Sequence, residues 1–276
     1  MTRVLITGAA GFIGSHVVEA LVRRGDEVIG IDNFDPFYPR AMKEGNLAEM
    51  GALPAFTFHE QDMLDVEALR ARLTPNTVVV HLAAKAGVRP SLADPVGYAR
   101  ANVTGTAAVI EAARRAGVSR FVFGSSSSVY GDSTPVPFRE DAPAIAPVSP
   151  YAATKRAGEL FLDSVAPIDG FRAASLRFFT VYGPRQRPDL AIHAFARKMM
   201  KGETITLFGD GTQARDYTYC DDIVAGVIAA VLWTEGAPVG VETFNLGGNR
   251  SIPTGDMVAE IAGAMGIEPR IEWGPM

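Results

Sequence analysis

The feature that most constrains this chain is the unbroken run Met1-Thr-Arg-Val-Leu-Ile-Thr-Gly-Ala-Ala-Gly-Phe-Ile-Gly-Ser-His16, where an apolar stretch, glycines three apart and an amphipathic segment follow one another. Val4, Leu5 and Ile6 in a row predict a parallel strand buried on both faces. Ile13, Val17, Leu21 and Val22 share one helical face, so a helix starts where the glycines end. Between the two, Gly8 allows a tight turn, Gly11 lets a pyrophosphate approach the backbone, and Gly14 lets the helix pack on the strand. The free amides of the helix start, around Phe12 and Ile13, then face the loop and can hold an anion. Three spaced glycines mean little alone in a chain with 28 of them. The strand before, the helix after and Asp32 closing Glu27-Val-Ile-Gly-Ile-Asp32 make them a dinucleotide loop. A carboxylate at that strand end accepts hydrogen bonds from both ribose hydroxyls and repels a 2′-phosphate, which favours NAD over NADP.

The rest of the composition narrows the class of protein. With 276 residues and 47% hydrophobic content the chain can bury a large core, as one unit with a cap. Its net charge of -5 and the dispersal of its 26 basic residues speak against nucleic acid or a membrane surface as partner. Cys220 is the single cysteine, which excludes an internal disulfide and reads as a small buried hydrophobe in a reducing compartment. The first residues lead straight into a core strand, with no signal-peptide pattern and no apolar run long enough to cross a bilayer, so a cytoplasmic location is expected. The four histidines show no ligand spacing, and no metal is expected.

Along the chain, Thr57-Phe-His-Glu-Gln61 reads as a third strand with Asp62 and Met63 at its carboxyl end. Asp62 either accepts from the adenine amino group or caps the helix Asp65–Leu73. Thr77–Leu82 is a fourth strand containing His81, read as a core histidine, and it ends in Ala83 and Ala84, whose small side chains would let a cofactor lie across the backbone. Pro95–Gly117 reads as one long helix with small residues on several faces, suited to close packing within the monomer or across a two-fold axis. Arg120–Ser125 is a fifth strand. This alternation calls for an α/β fold of the Rossmann type, a doubly wound parallel sheet. Beyond Arg172–Phe178 the pattern loosens. The turn-rich stretch 180–216, with a helix Leu190–Lys201, suits a small substrate-binding cap. Helix Asp221–Trp233 and strand Thr243–Leu246 return to the sheet, and Thr254–Met265 is a last helix. The expected division is 1–179 with 217–250 for the dinucleotide domain, and 180–216 with 251–276 for the cap.

The chemistry-bearing residues come next. Tyr151-Ala-Ala-Thr-Lys155 opens a helix with the Tyr and Lys on one face. A free phenol, with a pKa of about 10, is a poor base at neutral pH, and a nearby ammonium and a nicotinamide cation both favour the phenolate. Ser125-Ser-Ser-Ser128 ends a strand at the crevice, where hydroxyls can bond to a substrate oxygen.

Together, Thr7–Gly14, Asp32-Asn33, Asp62-Met63, His81–Ala84, Asn102–Gly105, Ser125–Gly131, Tyr151–Lys155, Arg177–Pro184 and Arg215–Tyr217 resemble the extended short-chain dehydrogenases/reductases, specifically their nucleotide-sugar epimerases and dehydratases. The resemblance covers nearly the whole chain. It implies Tyr151 as acid/base, Lys155 as the residue that holds the nicotinamide ribose and tunes the tyrosine, and Ser126 as the partner of the sugar O4. NAD would rest on Gly8, Gly11, Phe12, Ile13 and Gly14, with Asp32, Asn33, Asp62 and Met63 around the adenosine. Leu82, Ala83, Ala84, Lys85, Asn102, Ser125 and Phe178 would line the rest of its path. Substrate contacts would come from Ser127, Ser128 and Arg89, and from Thr180, Arg185, Thr206 and Arg215, the last for the nucleotide diphosphate. Tyr130 would flank the sugar. Related dehydratases resemble Thr-Asp-Glu at positions 126–128 and related decarboxylases carry a Glu at 128, and neither acid is present here. The implied activity is an NAD-dependent nucleotide-sugar 4-epimerase, a homodimer acting on a UDP-sugar. Thr180-Val-Tyr-Gly-Pro-Arg-Gln-Arg-Pro-Asp189 looks like the enzymes for UDP-glucuronate, while a neutral UDP-glucose 4-epimerase and a non-catalytic NAD-binding homologue stay open. Similar proteins run some tens of residues further, so a cap shortened at the C-terminus is expected.

Overall fold

Val4, Leu5 and Ile6 are fully buried in β1 (Arg3–Thr7), which pairs in parallel on both sides as a wholly apolar strand must. One neighbour is β2 (Glu27–Asp32), followed by β3 (Phe56–Glu60). The other is β4 (Thr77–His81), followed by β5 (Arg120–Ser126), β6 (Arg172–Phe178) and, at the far edge, β10 (Gly240–Leu246). The sheet order is thus β10-β6-β5-β4-β1-β2-β3, all parallel. The chain reverses its direction of travel between β1 and β4, and the crevice of a doubly wound sheet opens at the carboxyl ends of two such strands. This computed structural model describes every residue except Ala52, Asn249 and Met276.

Helices α1 (Phe12–Arg23), α2 (Arg40–Met50) and α3 (Val66–Arg70) join the first four strands. After β4 come α4 (Val88–Ala93) and α5 (Pro95–Tyr98), then a π-helical stretch Ala99–Thr104 that runs on into α6 (Gly105–Arg115). The single long helix expected over Pro95–Gly117 is therefore interrupted by wider turns, which occur mostly where a side chain is used. A 3₁₀ turn, Ser127–Tyr130, follows β5. Helix α7 (Pro150–Asp169) has sharp ends: Ser149 caps it by accepting from the Ala152 amide, Pro150 fills the first turn, and Gly170 closes it at φ 73°.

The chain divides into two units, Met1–Phe178 with Asp221–Leu246, and Phe179–Cys220 with Gly247–Met276. In the first, Leu5, Ile29, Val79, Phe121, Phe123, Leu162 and Phe171 belong to one core cluster. The second contains β7 (Thr180–Tyr182), α8 (Ala191–Met200), β8 (Ile205–Phe208), β9 (Ala214–Tyr219), β11 (Ser251–Pro253), α10 (Thr254–Met265) and β12 (Ile271–Gly274). There β9 pairs with β7 and β11, β8 pairs with β12, and Met199, Ile205, Leu207, Met257 and Val258 form the core. Helix α9 (Cys220–Trp233) leads to β10. Among the described residues no helix is long and apolar enough to cross a membrane.

Candidate active site

The glycine loop follows β1 directly. Gly8 adopts φ 75°, and a Cβ there would lie 2.9 Å from both the nitrogen and Cα of Ala83, so the loop and the end of β4 touch backbone to backbone. A Cβ on Gly14 would come within 2.1 Å of the Gly8 carbonyl oxygen, which forces glycine where α1 meets the loop. No side chain caps α1 at Gly11 and no acidic residue occupies its first turn, so its leading amides remain available to an anion.

Thr7 locks this junction. Its Oγ1 accepts from the amides of Leu82 and Ala83 at 3.1 Å, so its own hydrogen goes to His81 Nδ1 at 2.7 Å. That fixes the imidazole as the Nε2–H tautomer, which donates to Thr106 Oγ1 at 3.0 Å, while Thr106 donates to the Asn102 carbonyl. Burial, with the Lys155 charge second, lowers the His81 pKa to about 3, so the ring is neutral. His81 is a core histidine, as its sequence context implies, and it bridges β1 to α6.

At the end of β2, Asp32 Oδ1 accepts from the Phe34 amide at 2.8 Å and from Lys43 Nζ at 3.2 Å. Asp62 is held by Asn33, whose amide donates to Oδ2 at 3.1 Å. The cap of α3 is Asp65, which accepts from Ala68, and this removes the capping alternative for Asp62. Met63 packs where a Cβ on Gly105 would be 2.6 Å from its methyl. Asn102, in the π-helical stretch, donates to the Lys85 carbonyl (2.9 Å) and Thr154 Oγ1 (3.0 Å) and accepts from the Lys85 amide (2.8 Å). Its side chain thus ties the loop after β4 to α7.

Helix α7 carries Tyr151 and Lys155 on successive turns. The Tyr151 ring meets Tyr98 of α5 edge-on at 6.4 Å, and Tyr98 itself is anchored to the Ala86 carbonyl. Lys155 is buried, with Nζ donating to the Gly124 carbonyl at 2.6 Å and lying 5.2 Å from the Phe123 ring centroid. Desolvation lowers its pKa to about 8, opposed by the charge of Glu159. At the end of β5, the Ser126 hydroxyl accepts from the Ser128 amide and bonds to Ser128 Oγ at 3.1 Å. Ser125 instead donates to Glu159 at 2.6 Å. Leu82 and Phe178 converge over Gly124, where a Cβ would lie 3.0 and 3.2 Å from their side chains. Ser127 is half-buried and Arg89 exposed.

The second unit holds the other expected residues. Thr180 and Arg185 are half-buried, Arg185 with φ 61°, and Arg215 is exposed, with Nη1 on the Ala214 carbonyl. The Thr206 hydroxyl donates to Glu272 at 2.6 Å. Sequence reasoning passed over Lys43, Tyr98, Thr154 and Glu159. Glu159 alone carried a signal, being one further turn along the Tyr151–Lys155 face.

These residues suit a dinucleotide. The glycines leave no room for side chains, Asp32 Oδ2 has no protein partner among the described residues, and the Lys155 ammonium spends one of three hydrogens on the protein. Fold and site together define a Rossmann-type member of the short-chain dehydrogenases/reductases. The chain belongs to the NAD dependent epimerase/dehydratase family, whose model matches residues 4–247. A UDP-glucuronate 4-epimerase from Thermodesulfobacterium geofontis is 40% identical over 93% of this chain and 78% of its own. UDP-glucuronate 4-epimerase 4 of Arabidopsis thaliana is 43% identical over 92% of this chain, which spans 62% of that protein's length. The structure of a Bacillus cereus UDP-glucuronic acid 4-epimerase in complex with UDP-glucuronic acid and NAD superimposes with a TM-score of 0.90. It is 36% identical and covers 99% of this chain and 86% of its own.

Proposed function

We propose that this chain is an NAD-dependent UDP-glucuronate 4-epimerase, interconverting UDP-glucuronate and UDP-galacturonate. The observation that carries the reading is the coupling of Tyr151 and Lys155, on one face of α7, to a strand end that offers only hydroxyls, Ser126 to Ser128. NAD, when bound, supplies a hydride acceptor for C4 of the sugar and returns the same hydride. Tyr151 takes the O4 proton and gives it back after the 4-keto sugar has turned over in the pocket. Lys155 binds the nicotinamide ribose and favours the tyrosine phenolate by its charge. Ser126 hydrogen-bonds O4 and keeps it aimed at the phenol. In related enzymes elimination and efficient decarboxylation use a carboxylic acid beside the sugar for proton transfer; Ser127 and Ser128 provide none, which leaves decarboxylation only the unassisted route open to a 4-keto uronic acid.

The choice of a uronic acid rests on Thr180, Ser127, Arg89 and Arg185 as partners of its carboxylate, with Thr206 and Arg215 serving the nucleotide. Charge-assisted hydrogen bonds contribute about 1.5–3 kcal/mol, a preference of roughly tenfold to hundredfold over a neutral hexose. Assay of the purified chain against UDP-glucuronate, UDP-glucose and UDP-N-acetylglucosamine, with products separated by chromatography, tests this. Thr180→Ala should slow epimerisation and raise a 4-keto-pentose by-product, because a loosely held carboxylate is free to align for loss of carbon dioxide. Equal turnover of UDP-glucose by the unaltered chain would reject the substrate.

The same reading makes the protein a cytoplasmic homodimer. Support comes from Leu160, Phe161 and Ile168, apolar and exposed along the outer side of α7, and from the small residues Ala107 and Ala108 of α6, which are not fully buried. The sole cysteine is buried, which suits a reducing compartment.

A further inference from the structure

Glu159 lies on α7 one turn beyond Lys155 and two beyond Tyr151, and the chemistry described above does not use it. It is 2% exposed, yet Oε1 accepts from Ser125 Oγ (2.6 Å), Arg177 Nε (2.9 Å) and, at 3.5 Å, Ser175 Oγ of β6, and Oε2 from Arg177 Nη2 (3.0 Å) and Arg156 Nη1 (2.8 Å). Apolar packing would fill the same space without desolvating ions, so stability is a weak reason for such a cluster. What these bonds connect is specific. Three consecutive residues end β5: the Gly124 carbonyl is held by Lys155, the Ser125 hydroxyl by Glu159, and Ser126 follows as the proposed O4 partner. Arg177, on β6, extends the clamp to the neighbouring strand and lies 4.6 Å over the Tyr130 ring.

The charged surroundings of Lys155 are equally specific. His81 of β4 is neutral, Phe123 of β5 offers only its ring, and Arg177 of β6 and Arg156 of α7 are both bound to Glu159. Asp163, a further turn along α7, responds to the same arginines and to Glu159. Glu159 is the group whose charge favours the Lys155 ammonium.

We propose that Glu159 is a positioning residue of this site: it locks the end of β5, and with it the Ser126 hydroxyl, to the helix carrying Tyr151 and Lys155, and it is the counter-charge that lets Lys155 stay an ammonium inside the protein. The kinetic part of this rests on the epimerase reading above; the electrostatic part does not. Removing the carboxylate leaves Lys155, Arg156 and Arg177 together, and since an arginine does not give up its proton, lysine must yield.

The lysines of the chain are Lys43, Lys85, Lys155, Lys198 and Lys201, few enough to follow by carbon NMR of lysine-labelled protein, with Lys155→Arg assigning the signal. In substrate-free protein, Glu159→Gln should move the Lys155 midpoint down by about one pH unit or more from its value near 8. The alkaline limb of kcat should move with it. Glu159→Asp should restore midpoint and limb while kcat stays low, because the shorter carboxylate keeps the charge but withdraws from Ser125. Ser125→Ala keeps every charge, and should lower kcat about tenfold with the midpoint unchanged. Where Glu159→Gln fails to fold, the double variant Glu159→Gln, Arg177→Gln is compared with Arg177→Gln alone, so that the midpoint difference between the two again reports loss of the carboxylate. An unmoved Lys155 midpoint overturns the counter-charge, and normal kcat in Ser125→Ala overturns the positioning of Ser126. Inactivity of the unaltered protein on UDP-glucuronate would instead reject the substrate and leave the titration result standing.

Discussion

Acid should weaken this protein through His81 in a way that a single substitution removes. The ring's Nδ1 is already an acceptor for the Thr7 hydroxyl, so a second proton has nowhere to go without breaking the chain from Thr7 to Asn102. The folded-state pKa is about 3 against 6.5 for the free residue, so the unfolded chain binds more protons below pH 6.5. His81 therefore contributes stability that is present above pH 6.5 and is lost progressively as pH falls towards about 3. Between pH 6.5 and about 4.5 the linkage relation gives a loss of about 2–2.5 kcal/mol from this residue alone. Urea unfolding of the unaltered chain and of His81→Gln, at matched ionic strength and without added NAD, measures it. Gln lacks the titrating group, so although it costs about 1–3 kcal/mol near neutral pH for imperfect bonds to Thr7 and Thr106, its stability should fall less steeply with acid. Carboxylates elsewhere act equally on both proteins and cancel. Parallel pH dependences over that range would refute the reasoning, and would mean that the imidazole can be protonated in place.

Further outcomes follow from the loop and the helix pair. Gly14→Ala should lose bound NAD and destabilise the fold by about 1–3 kcal/mol, since its Cβ would press on the Gly8 carbonyl; normal NAD content by mass analysis would count against the loop geometry. Tyr151→Phe should cut turnover by about 10²–10⁴-fold while UDP still binds by calorimetry, and a rate near normal would move the proton transfer to another hydroxyl. The purified protein should release NAD on denaturation, because a recycled cofactor need not leave; stoichiometric NADP would reject the role given to Asp32. Light scattering at micromolar concentration should give twice the chain mass of 29.4 kDa, and a monomer would refute the pairing through α7.

The parallel sheet was legible because its strands are short runs of β-branched residues between glycines and amphipathic segments. Val4-Leu5-Ile6 and Val78-Val79-Val80 could be little else. Helix α2 was not legible: its sequence Arg-Ala-Met-Lys-Glu-Gly-Asn-Leu-Ala-Glu-Met has a weak apolar stripe and follows two prolines in a turn-rich segment. The strands of the second unit were hidden for another reason. Those of three or four residues, such as Thr180–Tyr182 and Ser251–Pro253, are too brief to show alternation. In the site, Tyr151 and Lys155 declare themselves by spacing, whereas Lys43 of α2 and Tyr98 of α5 reach it from other elements and follow no local rule, and Thr154, on α7 itself, is distinguished only by its bond from Asn102. Asn102 was placed along the cofactor path by resemblance, and the structure shows its amide committed to Lys85 and Thr154.

The wide turns at Ala99–Thr104 also govern how this chain can change length. An ordinary α-helix advances about 100° per residue and a π-turn less, so the wide turns absorb an extra residue, and deleting one there would restore regular winding and carry the residues inside the stretch around the axis. Asn102, inside the stretch, would swing off Lys85 and Thr154, while Thr106, just beyond it, is tied to His81. Insertions and deletions that the neighbouring loops absorb are thus barred from this segment. Homologous chains that keep both sets of partners should keep its residue count even where its side chains drift.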